Sequence, residues 1–371
     1  MFVCVNKEKW SSSIRELRDS IIRDCPDHSC QSCYLDLAGL KVVRLVVGDP
    51  AAMSLIRREL CWILREPVEN PDATIYLWKE PDVKAFAERF AGHRTISDPN
   101  EEFLLFKVIN QLSTSVQTWP SGQVNLLGGS VHLADGDTFF YGFEDFSPDR
   151  WIAEGHVFVQ MLFRILNETP AAKLVHGACV GMNDKGLLLC ARGQKGKSTL
   201  AVTAMLEGFD FVSEDYLILE KSGDGLLASP IYSIITLSPF IYDKLYDRLG
   251  KARFVGVSSF KGKYVFDISE YKDRLKRRYP VKACLFPEIT PDATEPRVEL
   301  CGQEEKNRAI THMAHSTLFQ MWSQGLKQKQ LDQEFMLSII GMLKGLDFYK
   351  IILTPDIFKN AGCLKSFVES I

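Results

Sequence analysis

The stretch "LLLCARGQKGKSTLAVTAMLEG", residues 187–208, runs from an apolar segment through a glycine-bearing turn into helix formers that stop at a glycine. "GLLLC" is short and wholly apolar, as suits a buried strand. "STLAVTAMLEG" is rich in helix formers, and Gly208 supplies a C-terminal stop. Between them, Gly196-Lys197-Ser198-Thr199 ends as a phosphate-binding loop ends. The full pattern G-x-x-x-x-G-K-[ST] asks for a glycine where this chain has Ala191. Alanine adds one methyl there, and Gly193 keeps a flexible residue inside the loop, so the departure is small. A helix N-terminus leaves backbone N–H groups unpaired and carries partial positive charge, which suits phosphate oxygens. The residues expected around a nucleoside triphosphate are Ala191, Arg192, Gly193, Gln194, Lys195, Gly196, Lys197, Ser198 and Thr199. Lys197 should reach the β- and γ-phosphates, and the Ser198 hydroxyl should ligate Mg²⁺. The alternative, an ordinary strand–turn–helix, needs the turn, the tetrapeptide and both flanks to coincide by chance.

Chain geometry places an acidic pair near this loop. A helix from Ser198 to about Glu207 travels roughly 15 Å away from the phosphates. "FDFVSED" then returns over about six residues at roughly 3.3 Å each. Glu214 and Asp215 should therefore lie near the phosphate end of the helix, where one can hold Mg²⁺ and the other accept a proton from an attacking hydroxyl. Upstream, "KLVHGACVGMNDKGLLLCARG" reads as a hairpin turning at Asn183-Asp184-Lys185-Gly186. Folded about Asp184, it sets His176 opposite Arg192 at the mouth of the loop, with Gly177 beside it allowing close approach.

With "VHGACV", the hairpin, "ARGQKGKST", the helix ending in "EGFDFV" and the acidic pair of "SEDYLIL", the chain resembles the catalytic domain of the HPr serine kinase/phosphorylase family. The resemblance is tight over roughly 174–220 and thinner to about 290; residues 1–147 show none. It implies an α/β P-loop fold of the HPr kinase/PEP carboxykinase-like kind. It implies ATP and Mg²⁺ as cofactors, phosphate binding by Gly196, Lys197 and Ser198, and action of His176 near the transferred phosphate. Glu214 stands where the family has the aspartate cast as base, and Asp215 where it has the second metal-site aspartate, beside Ser198. Among divergent HPr-kinase-like proteins some act on serine in ribosomally made peptides, so the resemblance points to a serine hydroxyl as acceptor.

The rest of the chain sets the frame. Its 371 residues suggest two domains, an α+β N-terminal domain over 1–147 and the P-loop kinase domain over 148–371. The boundary is drawn at Ser147-Pro148-Asp149, which starts the helix "DRWIAEGHVFVQMLFRILNE". In the first part, "WSSSIRELRDSIIRD" and "PAAMSLIRRELCWIL" read as helices. "YLDLAGLKVVRLVV", "ATIYLWKE", "EEFLLFKVI", "GQVNLLGG" and "TFFYGFED" read as strands. Beyond the site, helices are expected at about 303–325 and 331–344, with "FYKIIL" as a last strand. A net charge of −3 gives no reason to expect nucleic acid or a membrane surface as partner. The basic run "DRLKRRYP" reads as a solvated helix face. Ten cysteines without an export signal suggest reduced thiols and a cytoplasmic setting.

Other clusters are thinner. Cys25, His28, Cys30 and Cys33 crowd into nine residues, a strained arrangement for one tetrahedral zinc, and read as a loop of reduced thiols; a metal half-site shared with Cys4 or Cys61 is the alternative. His312 and His315 share a helix face without a partnering carboxylate. Arg253, Lys261 and Lys263 read as solvated cations that can alternatively stabilise transferred charge. Cys179 and Cys190 belong to buried strands. The leading expectation is an ATP/Mg²⁺-dependent kinase acting on a hydroxyl of a peptide, protein or small molecule, as monomer or homo-oligomer. A nucleotide-responsive binding module and a simple NTP hydrolase are the alternatives.

Overall fold

The computed structural model describes residues 2–5, 12, 15–20, 31–81, 94–95, 103–109, 113–118, 122–127, 130–135, 137–143, 158–167, 169–191, 195–255, 262–321 and 329–371. Two units divide the chain. One takes Met1–Arg57, Leu64–Pro148 and Gln324–Leu326; the other takes Arg58–Ile63, Asp149–Ser323 and Lys327–Ile371.

The first unit carries an eleven-stranded sheet in the order Leu64–Arg65, Gln31–Leu37, Lys41–Val47, Ala73–Lys79, Thr138–Phe143, Ser130–Asp135, Gly122–Leu127, Ser113–Thr118, Phe103–Ile109, Phe2–Val5, Arg94–Thr95. Lys41–Val47, Ala73–Lys79 and Thr138–Phe143 run parallel to one another, and the other described neighbours pair antiparallel. Alternation explains the strand Gln31–Leu37: Cys33, Leu35 and Leu37 are buried, with more exposed residues between them. The run read as one strand, "YLDLAGLKVVRLVV", is a hairpin, because Ala38 (φ 60°) and Gly39 (φ 74°) turn left-handed. Strands Phe2–Val5, Ser113–Thr118 and Ser130–Asp135 were not anticipated from their sequences.

The helix Pro50–Glu59 buries Ala52, Met53, Leu55 and Ile56, but ends before "CWIL". The Ser233 N–H takes the carbonyl oxygen of Glu59 at 2.7 Å, and the Ser233 hydroxyl accepts from the Trp62 N–H at 3.2 Å. Those bonds replace the helical ladder, so the helix stops. Residues 15–20 are helical; Cys25, His28, Cys30 and Ser147 lie outside the described residues.

The second unit begins with helix α1 (Val159–Asn167). It is the second half of the helix expected from 148, and Phe158, at φ 61°, marks its start. A nine-stranded mixed sheet follows. Its path is β1 (Ala172–His176), β5 (Tyr216–Ser222), β6 (Gly225–Pro230), β10 (Tyr279–Ile289), β3 (Lys185–Leu189), β2 (Ala178–Met182) and β4 (Asp210–Ser213). Strand β10 is long enough to hold β3 on one edge and, on the other, first β6 and then β12 (Asp347–Leu353), which in turn carries β11 (Arg297–Leu300). A separate three-stranded sheet joins β7 (Ile234–Leu237), β9 (Lys263–Asp267) and β8 (Arg253–Val255).

Helices α2 (Lys197–Leu206), α3 (Pro239–Leu249), α4 (Gln303–Met321), α5 (Lys329–Leu343) and α6 (Ile357–Ser370) complete the unit. α2 is apolar on nearly every side, the mark of a helix sunk in a core rather than laid on it. Leu200, Ala201, Ala204 and Met205 share a cluster with Val180, Leu187 and Leu189 of the sheet and Leu364 and Val368 of α6. Fully burying each such leucine is worth about 1.5–3 kcal/mol, so the N-terminus of α2 is held by a rigid mount.

The basic run 273–280 is a turn leading into β10, not a helix face. Its side chains are used locally. Arg274 donates to the Gly208 carbonyl at 2.7 Å, Lys276 pairs with Asp210 at 3.3 Å, and Arg278 clasps Glu220. Among the described residues no helix is long and apolar enough to cross a membrane.

Candidate active site

β3 and α2 are joined through Cys190, Ala191 and Gly196; Arg192, Gly193 and Gln194 lie outside the described residues. The strand's parallel ladder extends one residue further, with the Cys190 N–H donating to the Leu285 carbonyl at 2.9 Å. Gly196 sits at φ 89°, and a Cβ there would lie 2.8 Å from Leu353 Cδ1, so both torsion and space ask for glycine. Among the described residues no side chain caps α2 at Gly196. Gly208 (φ 98°) closes the far end: its N–H bonds to Met205 and that of Phe209 to Ala204, a Schellman motif.

Lys197 is 6% exposed, and its Nζ donates to the Ala191 carbonyl at 2.9 Å. Burial pushes its pKa below the ordinary lysine value, while Asp215 and Glu214 pull it back. Ser198 and Thr199 are half-buried on the first turn, and Lys195 is exposed.

The return strand β4 brings the acidic pair to the same end. The Ser198 hydroxyl donates to Glu214 Oε1, and the Thr236 N–H reaches Glu214 Oε2 at 3.4 Å. Glu214 is 4% exposed. Asp215, whose charge also acts on Lys197, meets His176. It has φ 76°, a left-handed backbone that aspartate tolerates better than most residues, and its carbonyl accepts from the Gly177 N–H at 3.0 Å. Its Oδ1 lies 2.7 Å from His176 Nε2, and its side chain is 22% exposed. The expected division set Asp215 beside Ser198. The contacts instead pair Ser198 with Glu214 and Asp215 with His176. The longer glutamate reaches the helix, and the left-handed turn at 215 swings the next carboxylate toward β1.

His176 also reaches this place by a route the hairpin did not give. The turn is two residues, Asn183 (φ 53°) and Asp184 (φ 58°), and the hairpin pairs Ala178–Met182 with Lys185–Leu189 only. At Gly177 the chain leaves that hairpin, and β1 pairs with β5, His176 opposite Tyr216. The imidazole is thus set against Asp215 by a neighbouring strand; the expected place opposite Arg192 lies outside the described residues. Its ring lies 5.4 Å from that of Tyr216, whose hydroxyl is pushed to a high pKa by burial and then by Asp215 and Glu214.

Three residues here carried no sequence signal: Thr236, Ser316 and Thr317. Lys263 Nζ donates to Thr236 Oγ1 at 3.3 Å, and its charge opposes protonation of Lys197, so this lysine stands near the phosphate loop. Arg253 lies on β8, and Lys261 lies outside the described residues. His312 packs on Phe286 and His315 is exposed. Among the described residues no three or more His, Cys, Asp or Glu side chains gather for a metal. Cys33 is buried in its strand.

No family model matches the sequence, and no curated protein matches it. Among solved structures it is similar to the Hpr(Ser) kinase/phosphatase from Coxiella burnetii, with 10% identity and a TM-score of 0.28, over 53% of this chain and 97% of that one. Overlap at that level leaves the function to be argued from the side chains themselves.

Proposed function

We propose that this chain is an ATP- and Mg²⁺-dependent phosphotransferase with a P-loop, HPr-kinase-like second unit, and that it carries the γ-phosphate to a serine hydroxyl of a peptide or protein. The observation that carries the reading is the split of the acidic pair. Glu214 turns to Ser198 at the helix N-terminus, and Asp215 turns to His176.

The N-terminus of α2, with its partial positive charge, and the Lys197 ammonium bind phosphate oxygens. A hydroxyl and a carboxylate, Ser198 and Glu214, are hard oxygen donors that suit Mg²⁺, which takes one or two protein ligands and completes its shell with phosphate oxygens and water. When bound, that ion neutralises charge between the β- and γ-phosphates. Asp215, more exposed than Glu214, accepts the proton of the acceptor hydroxyl as its oxygen bonds to the γ-phosphorus. The bond from that phosphorus to the β,γ-bridging oxygen breaks, and ADP leaves. His176 holds the Asp215 carboxylate through Nε2. The likeness of "VHGACV", "ARGQKGKST" and "SEDYLIL" to HPr serine kinase motifs supports the same assignment.

The test is incubation of the full chain with γ-labelled ATP, alone and with cell extract. Label on a peptide or protein serine is the expected result. Label released only as inorganic phosphate means a hydrolase, and no turnover with retained nucleotide binding means a binding module; either result overturns the proposal.

A further inference from the structure

Two consecutive hydroxyls of α4 grip His176, one by its main chain and one by its ring. Thr317 Oγ1 accepts the His176 N–H at 2.8 Å and donates to the Met313 carbonyl at 2.9 Å. The Ser316 hydroxyl meets Nδ1, while Nε2 meets Asp215 on the other side. A neutral imidazole has a single N–H, so the two ring contacts are linked. An ionised carboxylate can only accept, which requires the hydrogen on Nε2 and leaves Nδ1 needing a donor. Ser316 is that donor.

We propose that Ser316 is a positioning residue for phosphoryl transfer: its O–H, donated to Nδ1, fixes the Nε2–H tautomer and so keeps the bond that aims the Asp215 carboxylate. The inference rests on the reading of Asp215 as proton acceptor. Without the Ser316 hydroxyl the imidazole can place its hydrogen on Nδ1. Nε2 would then present a lone pair to an acceptor-only oxygen, and the carboxylate would turn away. Thr317 does not share this role, because a main-chain contact fixes where the strand lies and not which ring nitrogen carries hydrogen.

The experiment uses the full chain with ¹⁵N-labelled histidine, at about pH 8, where an ordinary imidazole is neutral. His176→Gln identifies the His176 signals among the seven histidines. Wild type should show Nε2 protonated and Nδ1 bare. Ser316→Ala should mix the tautomers and lower kcat about tenfold with KM for ATP unchanged, the scale of partners that fix a histidine tautomer. Ser316→Thr should restore both, and Thr317→Val should leave the tautomer alone. A wild-type tautomer in Ser316→Ala, or a lowered kcat that threonine does not rescue, overturns the proposal. If wild type itself transfers no phosphate, the kinase reading falls, while the ¹⁵N signals still decide whether Ser316 sets the state of His176.

Discussion

The Lys197 ammonium donates to the carbonyl oxygen of Ala191 at 2.9 Å, tying the lysine of the loop to the position where the signature glycine is replaced. The contact uses a backbone oxygen, which explains why alanine serves there. Removing the ammonium takes away this tie and, on the proposed reading, the charge that would meet the phosphates. Lys197→Ala should lower phosphoryl transfer by about 10²–10³-fold, the scale of losing one preorganised charge-stabilising group. Turnover measured with labelled ATP should show the loss while circular dichroism stays unchanged.

The two carboxylates should fail differently. Glu214→Gln weakens a metal ligand, so the Mg²⁺ concentration for half-maximal rate should rise several-fold. Asp215→Asn removes a proton acceptor, so kcat should drop about 10²–10⁴-fold with ATP affinity nearly unchanged. A magnesium titration of initial rates on both variants separates the roles. The reverse pattern would restore the division first expected, with Glu214 as base.

Gly196→Ala should destabilise the second unit. A left-handed torsion costs a non-glycine residue about 1–2 kcal/mol. The added methyl also meets Leu353 Cδ1. Urea unfolding should show the loss, and Leu353→Val in the same chain should recover the steric part but not the torsional part. Nucleotide binding should stay impaired in the double variant.

Alkali should loosen the first unit through Cys33. Burial raises its thiol from 9.0 to about 11, only partly offset by Arg57. Between those values the unfolded chain releases a proton that the folded chain keeps, so stability falls as pH rises, by about 1.4 kcal/mol per unit. The loss should reach roughly 2–3 kcal/mol by the top of that window. Comparing urea midpoints of wild type and Cys33→Ala from pH 8 to 11 isolates this slope from other buried thiols and phenols.

What the sequence made legible was local. Gly208 ends α2 because a left-handed C-terminal residue is a short-range requirement, and Asn183-Asp184 turns a hairpin for the same reason. The approach of Glu214 to Ser198 followed from counting residues along one helix and one strand. Other features depended on residues far apart. Ser316 meets His176 across 140 positions, and Ser233 accepts the Trp62 N–H, just past the end of the helix Pro50–Glu59, across 171. The pairing of β1 with β5 set the direction of His176, and no periodicity in "KLVHGACV" distinguishes that partner from the hairpin. The strand Ser113–Thr118, "STSVQT", is mostly polar and lacks the alternation that marks "QSCYLDL".

The backbone at Asp215 decides which chemical experiments there can be trusted. At φ 76°, alanine or glutamate would change the torsional energy of the turn together with the charge, and a dead variant would report on either. Asparagine keeps the shape and accepts the same torsion, so it is the substitution whose effect can be assigned to the lost proton acceptor.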